Sequence, residues 1–141
     1  MNEYERSYLG NIVIIENIVF NQSKNKRKQV DHSWYKGRPC VIFFTDEEYD
    51  YYAPLSSTKP YKKYYNKIKN EYFELSEDDF LFLDKGEKIG VIHISECFRK
   101  KISGYPTIGK LTEKCYDELI KRISAYQKES PETIVKKSIK R

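Results

Sequence analysis

The segment from Tyr49 to Pro60 constrains the fold more than any other part of the chain, and it reads YDYYAPLSSTKP. Aromatic or apolar side chains alternate from Tyr49 to Leu55, which predicts a β-strand with one buried face. Pro54 lacks a backbone N–H group, so we expect this strand near an edge or an end of its sheet. The residues Ser56–Lys59 then predict a polar turn, which either binds a phosphate or is an ordinary turn.

The length of 141 residues suits one core, and we expect residues 1–141 to form a single domain. Apolar residues make up 39% of the sequence and charged residues 33%, which is typical of a globular protein in water. The apolar stretch Asn11–Phe20 is interrupted by Glu16 and is shorter than the ~20 residues that span a bilayer. The N-terminus lacks a hydrophobic signal region. We therefore expect a cytoplasmic protein with no membrane contact.

The cysteines and acidic residues argue against a metal centre. Three cysteines, Cys40, Cys97 and Cys115, are far apart in the sequence. An odd and sparse set disfavours both a disulfide framework and a zinc site, and apolar neighbours favour small buried side chains. The acidic pair Asp78-Asp79 fits helix capping and residues 46–48 fit a turn, so neither forms a carboxylate cage for Mg²⁺. We expect no cofactor.

The basic residues are clustered although the net charge is only +5. The clusters occupy Lys24–Lys28, Lys59–Lys69, Arg99–Lys101 and Lys136–Arg141, and the chain also contains 13 tyrosines. Cations bind phosphates and aromatic rings stack on unpaired bases, so the pattern suits nucleic acid. A solvated lysine-rich surface with half-buried tyrosines explains the same composition equally well.

Four further segments have the pattern of strands. Leu9–Phe20 is rich in β-branched residues and predicts one or two strands, and Arg38–Thr45 predicts a buried strand. The turn Asp46–Tyr49 joins that buried strand to the opening segment in a hairpin with a loop of roughly four residues. Asn70–Leu75 and Lys88–Ser95 predict two more strands.

Two polar and basic segments separate these strands. Residues 21–36 are long for a connection within a domain, which indicates a functional loop or a disordered one. After Pro60 the aromatic and apolar residues follow a helical spacing, which predicts a short basic amphipathic helix. The start of that helix would direct backbone N–H groups towards the Ser56–Lys59 turn, a favourable place for an anion.

The second half of the chain predicts helices and loops. Ser76 with Asp79 resembles a capping box, so Phe80–Leu83 is predicted to be a short helix or turn. Residues 104–109 form a Gly/Pro loop, and helices are predicted at about 113–128 and 131–139. Together, these strands and helices predict an α+β fold, most simply a small, strongly curved antiparallel sheet or barrel with flanking helices.

Short motifs in a fixed order point to a known family. They are Gly10-Asn11-Ile12-Val13, then GRPCVI at residues 37–42, then APLSS at residues 53–57. This order resembles that of MazF/PemK-like toxins. More narrowly, YAPLSSTK at residues 52–59 is similar to the Y-x-A-P-L-T-S-P-K stretch of type III toxin–antitoxin endoribonucleases, the ToxN, CptN and TenpN group. The resemblance covers roughly residues 8–100.

The resemblance implies an SH3-like curved barrel and a metal-independent, sequence-selective endoribonuclease. Such toxins cleave RNA by 2′-OH attack, and the products carry 2′,3′-cyclic phosphate and 5′-OH ends. The implied partners are single-stranded, mRNA-like substrates and a cognate small antitoxin RNA. That RNA forms a pseudoknot, inhibits the toxin and assembles with it in a phage-defence system. Neither DNA nor a membrane is an implied partner.

Metal-free RNA cleavage needs an acid/base, cations and hydroxyl donors in preorganised positions. The hydroxyls of the family fall on Ser56 and Ser57, and its lysine falls on Lys59. A second family lysine matches Lys36 best, with Arg38 as the rival. We expect Ser57 to be the oxyanion donor, and Lys36 and Lys59 to bind the scissile phosphate.

The acid/base and the RNA-binding residues are less constrained. His32 titrates near neutrality and is the natural acid/base, although a solvated loop histidine is the alternative. His93 lies on a predicted strand, and a structural role is predicted for it. Residues predicted to contact RNA are Lys24, Lys26, Arg27, Lys28, Trp34, Tyr61, Lys62, Lys63, Tyr64, Arg99, Lys100 and Lys101.

Two other functions remain open. One is a non-catalytic RNA-binding module that uses the same basic groove. The other is a toxin of the same fold that is inhibited by a protein antitoxin or acts on a protein target. A covalent serine nucleophile is not expected, because the sequence shows no evident Ser-His-Asp arrangement.

Overall fold

A computed structural model describes residues 3–16, 37–57 and 71–127 of the chain. The short helix α1 spans Glu3–Arg6, and helix α2 spans Glu113–Gln127. Between them lie eight strands: β1 Asn11–Glu16, β2 Gly37–Thr45, β3 Tyr49–Ser56, β4 Tyr72–Glu74, β5 Phe80–Leu83, β6 Val91–His93, β7 Phe98–Lys101 and β8 Thr107–Leu111. None of the helices within the described residues is long and apolar enough to cross a membrane.

The eight strands form one antiparallel sheet in the order β4-β6-β3-β2-β1-β8-β5, and β7 pairs with β3 beside this path. Over the described residues the sheet is curled and does not close. Helix α2 packs against one of its faces. This arrangement confirms the predicted α+β class and the predicted curved antiparallel sheet.

Strands β2 and β3 form the predicted hairpin. Val41 pairs with Ala53 and Thr45 with Asp50, and a bulge near Phe44 shifts the register between these pairs. In the turn, Asp46 Oδ1 accepts the backbone N–H groups of Glu48 and Tyr49 at 2.9 and 2.7 Å. The turn therefore begins at a side chain that satisfies the otherwise unpaired donors of the loop.

The predicted edge position of β3 is wrong, because β3 lies in the middle of the sheet. On one side it pairs with β2 along most of its length. On the other side Tyr49–Tyr52 pairs with β7, whereas Leu55 and Ser56 pair with β6. Pro54 lies between these two pairings, so the missing N–H group coincides with the change of partner strand.

The core has two parts, one on each face of the central strands. Tyr51, Ala53 and Leu55 of β3 belong to the larger part, together with the α2 residues Cys115, Leu119 and Ile123. The smaller part contains Tyr52 and, from the neighbouring strands, Val13, Ile15, Cys40, Ile42 and Phe98. The predicted alternation along β3 is confirmed, but both faces are buried, as in a central strand.

All three cysteines are buried and free, which confirms their predicted packing role. Helix α2 also confirms its prediction. Thr112 Oγ1 caps the helix by accepting the Cys115 N–H at 3.1 Å. Tyr116 ties the helix to the sheet by donating its hydroxyl to the Phe43 carbonyl oxygen at 2.8 Å. Burial raises the pKa of Tyr116 to about 12, so this hydroxyl stays protonated over the physiological range.

For the second half of the chain, two predictions are wrong and one strand was missed. The predicted capping box of Ser76 and Asp79 is confirmed, with the Ser76 N–H bonded to Asp79 Oδ2 at 2.8 Å, and it begins the single 3₁₀ turn Glu77–Asp79. The residues that follow, Phe80–Leu83, form strand β5 and not the predicted helix or turn. Part of the predicted 104–109 loop is strand β8, which pairs with both β1 and β5. Strand β7 was not predicted at all. In each case tertiary pairing outweighs local preference, because short strands depend on their neighbours for stability.

Several predicted elements lie outside the described residues. They are the basic loop 21–36, the amphipathic helix after Pro60 and the second C-terminal helix 131–139. These three predictions remain untested.

Candidate active site at the end of strand β3

The end of β3 brings a serine and a histidine together. Leu55 pairs with Ile92 of β6, and Ser56 pairs with Val91. This register places Ser56 Oγ 2.8 Å from His93 Nε2, which is a short hydrogen bond between two side chains. Either atom can be the donor, depending on which ring nitrogen of His93 carries the proton.

A carboxylate lies on the other side of the imidazole ring. A single helical turn, Ile94–Glu96, follows β6 directly and brings Glu96 back towards His93. The distance from His93 Nδ1 to Glu96 Oε2 is 3.9 Å, and the two side chains are 12% and 16% exposed. This separation exceeds a hydrogen bond but leaves a negative charge beside the ring, where it favours a developing imidazolium.

An aromatic ring covers the histidine from strand β4. Tyr72 is the cross-strand neighbour of His93, and their ring centroids are 4.9 Å apart at 65°. Arg122 of helix α2 holds this strand by donating to the Tyr72 carbonyl oxygen at 2.8 Å. The imidazole is thus approached by Ser56 of β3, by Tyr72 of β4 and by Glu96 of the helical turn.

Arg38 approaches the same face from strand β2. Cys40 pairs with Pro54 in the antiparallel register. Arg38 precedes Cys40 by two residues on β2, and Ser56 follows Pro54 by two residues on β3. Since side chains alternate along a strand, Arg38 and Ser56 project from the same face of the sheet. Arg38 is half-buried. It is therefore a cation on the side of the sheet that carries the Ser56–His93 pair.

Ser57 lies one residue beyond β3 and is exposed. It lines a groove of about 560 Å³ at the end of the strand. The two serines that the sequence places together therefore differ in environment. Ser56 is hydrogen-bonded to His93, whereas Ser57 faces the groove.

The predicted RNA-binding residues of β7 also differ from one another. The Arg99 guanidinium stacks over the Tyr49 ring at 4.2 Å and donates to the Tyr51 hydroxyl at 3.3 Å. Lys100 lies 5.9 Å from the centre of the Tyr105 ring, and Lys101 is exposed. Arg99 thus ties β7 to the hairpin, and Lys101 is the member of the three that is most open to a phosphate.

Twelve predicted site residues lie outside the described residues, and their predictions remain untested. They are Lys24, Lys26, Arg27, Lys28, His32, Trp34, Lys36, Lys59, Tyr61, Lys62, Lys63 and Tyr64.

Sequence reasoning missed the partnership of Ser56 with His93 and Glu96. Ser56 and His93 are 37 positions apart, and their contact depends on the pairing of β3 with β6. A local signal does exist, since His93 and Glu96 are three positions apart across a strand end. That spacing indicates a contact between the two side chains only if a helical turn is known to follow the strand.

No family model matches this chain, and no curated protein sequence matches it. Within residues 3–16, 37–57 and 71–127, no group of three or more His, Cys, Asp or Glu side chains is placed to hold a metal ion. The chemistry of the site is therefore inferred from its own geometry.

Proposed function

We propose that the protein is a metal-independent, sequence-selective endoribonuclease that cleaves RNA by attack of the substrate 2′-OH. The products are a 2′,3′-cyclic phosphate and a 5′-OH. The observation that supports this function best is the 2.8 Å hydrogen bond between Ser56 Oγ and His93 Nε2 at the end of β3. It joins a hydroxyl that the sequence predicts to be catalytic to an imidazole, the side chain that enzymes use most often for proton transfer.

His93 acts as the general base in the proposed mechanism. With the ring proton on Nδ1, towards Glu96, the Nε2 atom accepts the proton of the 2′-OH through the Ser56 hydroxyl. The Glu96 carboxylate, 3.9 Å away, stabilises the imidazolium that results. The 2′ oxygen then attacks phosphorus, and the P–O5′ bond breaks.

Cations and donors stabilise the phosphorane, which carries one more negative charge than the substrate phosphate. Arg38 lies on the face of Ser56, and Ser57 remains the predicted oxyanion donor. The leaving 5′ oxygen lies opposite the attacking oxygen, so it takes its proton from solvent or from a second group. His32 is the prediction for that group, and Lys36 and Lys59 are the predicted phosphate clamps.

The finer fold and the partners belong to the same proposal. The curled antiparallel sheet is compatible with a MazF/PemK-like, SH3-like barrel. The first four residues of the APLSS motif form the end of β3. On the resemblance to the ToxN, CptN and TenpN group, we propose a cytoplasmic type III toxin. A small antitoxin RNA holds this toxin inactive, and RNA is its substrate.

The spatial arrangement of Ser56, His93 and Glu96 also favours a second candidate, a serine hydrolase with Ser56 as a covalent nucleophile. In such enzymes a carboxylate hydrogen-bonds the histidine and orients it. The 3.9 Å separation of Glu96 from His93 is too long for that bond. We therefore rank this candidate below the endoribonuclease.

The test compares RNA cleavage by the wild type and by three variants, in the presence of EDTA. Ser56→Ala and His93→Gln should each lower the cleavage rate about 10²- to 10⁴-fold, the usual contribution of general acid–base catalysis. Both should retain RNA binding within a few-fold. Ser103→Ala removes an exposed loop hydroxyl and serves as the matched control, with wild-type activity expected.

The products and the co-purifying molecules separate the alternatives. Cyclic-phosphate and 5′-OH ends support the proposal, as does a discrete small RNA that co-purifies with the protein expressed from its native operon. RNA binding without cleavage of any RNA favours the non-catalytic module. Labelling of Ser56 by a fluorophosphonate favours the serine hydrolase, and co-purification of a small protein favours a protein antitoxin.

A further inference from the structure

A groove opens at the point where β3 ends, and Ser57 is one of the residues that line it. Its volume is about 560 Å³, within the range of pockets that hold small molecules. Ser57 lines the groove, and the preceding residue, Ser56, bonds to His93. The groove and the Ser56–His93 hydrogen bond therefore involve consecutive residues of the chain.

The groove is held in shape by backbone contacts. Gly90 donates its N–H to the Ser56 carbonyl oxygen at 2.8 Å, and its carbonyl oxygen accepts the Leu75 N–H at 2.9 Å. A Cβ atom added at Gly90 would lie 3.0 Å from the Ser57 carbonyl oxygen. Glycine therefore allows the end of β3 and the segment before β6 to meet closely where both line the groove.

The walls of the groove are apolar and aromatic. Phe82 of β5 lines the groove and is 48% exposed. Among the described strands β5 pairs with β8 alone, so it forms an edge of the sheet. The other apolar wall residues are Leu75, Phe80, Leu83 and Ile89. An exposed phenyl ring at such a position is available to stack on a planar ligand.

The rim carries charges of both signs. Glu77 and Glu87 contribute two carboxylates, and Lys88 contributes an ammonium group. All three residues are exposed. The carboxylates disfavour a phosphate inside the groove but accept hydrogen bonds from N–H groups. The ammonium group can pair with a phosphate at the rim.

We propose that this groove binds one unpaired nucleobase of the RNA substrate next to the scissile bond. The ring of Phe82 stacks on the base, the Glu77 and Glu87 carboxylates accept from N–H donors on its edge, and Lys88 contacts the adjoining phosphate. The inference rests on the proposed endoribonuclease function. It assigns sequence selectivity to the groove, on the side of β3 that Ser57 faces.

The test measures binding of a single-stranded oligonucleotide made non-cleavable by a 2′-deoxy substitution at the scissile position. Phe82→Ala should weaken binding about 5- to 150-fold, the range for loss of one base–aromatic stack. Leu81→Ala is the matched control, because Leu81 is the neighbouring residue, is equally exposed at 48%, and is not part of the groove wall. It should bind as the wild type does.

A second arm locates the base. An abasic site is moved through the oligonucleotide one nucleotide at a time. At one position it should weaken wild-type binding as much as Phe82→Ala does, and the two changes together should cost no more than either alone. Phe82→Leu keeps an apolar side chain on β5 and removes the ring, so it reports on stacking even if the alanine variant folds poorly.

The outcomes distinguish the groove from the catalytic proposal. Equal binding by the Phe82→Ala, Leu81→Ala and wild-type proteins, with cleavage intact, overturns the base site alone. Additive effects of Phe82→Ala and of every abasic position also overturn it. A wild-type protein that neither binds nor cleaves RNA overturns both proposals.

Discussion

At the scale of single residues, Lys110 shows how a charge is accommodated in the interior. Its side chain is 4% exposed. The ammonium group donates to the carbonyl oxygens of Ser7 and Leu9, both at 2.9 Å, and to Asn11 Oδ1 at 3.2 Å. It also lies 4.3 Å from the centre of the Tyr4 ring. All three donors of the lysine are therefore used to fasten the N-terminal segment to β8.

The substitution Lys110→Met should lower the free energy of unfolding by about 1–3 kcal/mol, because three acceptors lose their donor. Burial lowers the pKa of Lys110, so desolvation already offsets part of what the bonds contribute. Urea denaturation measures the change. Lys114→Met, at an exposed position of α2, is the control and should stay within about 0.5 kcal/mol of the wild type. Equal effects of the two variants would contradict this account.

At the scale of elements, the β2–β3 hairpin carries the proposed site and is closed by Asp46. Its carboxylate accepts two backbone N–H groups in the turn and the Tyr51 hydroxyl at 2.8 Å. Arg99 of β7 donates to the same hydroxyl. One carboxylate thus links the turn, the middle of β3 and the neighbouring strand.

The hydrogen bonds from Tyr49, Tyr51 and Glu48 hold the pKa of Asp46 below its ordinary value of 3.8. A carboxylate with a lowered folded-state pKa contributes stability above its unfolded value, and this contribution is lost as the pH falls through the lower folded value. The wild type should therefore lose thermal stability below about pH 3.8. Asp46→Asn should be less stable at neutral pH and less sensitive to acid.

Melting temperatures at a series of pH values measure both effects of Asp46→Asn. Glu47→Gln changes the charge of the same turn by the same amount and is the matched control. If the two variants respond to acid alike, the hydrogen bonds of Asp46 are not the source of the acid response.

At the scale of the whole molecule, the net charge is +5, and the described residues include several exposed lysines. Lys101 ends β7 and is exposed, whereas Arg99 in the same strand is engaged with Tyr49 and Tyr51. Lys101 pairs with Tyr49 at the start of β3, at the opposite end from Ser56, so it can meet the backbone only of an RNA that extends along the whole strand. Arg99 then mainly stabilises the packing of β7 against the hairpin and contributes less to RNA binding.

The substitution Lys101→Ala should reduce the slope of log affinity against log salt by about 0.7, the loss of one phosphate contact to a single strand. Fluorescence anisotropy with a labelled oligonucleotide at several salt concentrations measures the slope. Lys121→Ala removes the same charge from an exposed position of helix α2 and should leave the slope unchanged. A reduced slope in both variants would show a diffuse charge effect instead of a contact.

Features set by nearby residues were predictable from the sequence. The hairpin followed from alternation on either side of an acidic turn, and α2 followed from the helical spacing after Thr112. Burial of the three cysteines followed from their apolar neighbours. These signals are local, because a turn, a cap or an amphipathic face is encoded within a few consecutive residues.

Features that depend on distant pairing were not predictable. The motif FLFL at Phe80–Leu83 is compatible with a helix or a strand, and its pairing with β8 decides for the strand. The same holds for Thr107–Leu111. Its glycine and lysine interrupt the sequence pattern of a strand, although the segment pairs with a strand on each side. Pro54 predicted an edge strand, yet β3 lies in the middle of the sheet. Proline is tolerated there because β3 changes its partner from β7 to β6 at this position.

The sequence by itself determined which side chains stand at the end of β3, including the hydroxyls of Ser56 and Ser57. Only the tertiary structure decided that Ser56 meets His93 and that Ser57 faces a groove. The physical reason is that a hydrogen bond between residues 37 positions apart depends on the register of two strands. That register is set by the packing of the whole sheet and by no short stretch of the chain.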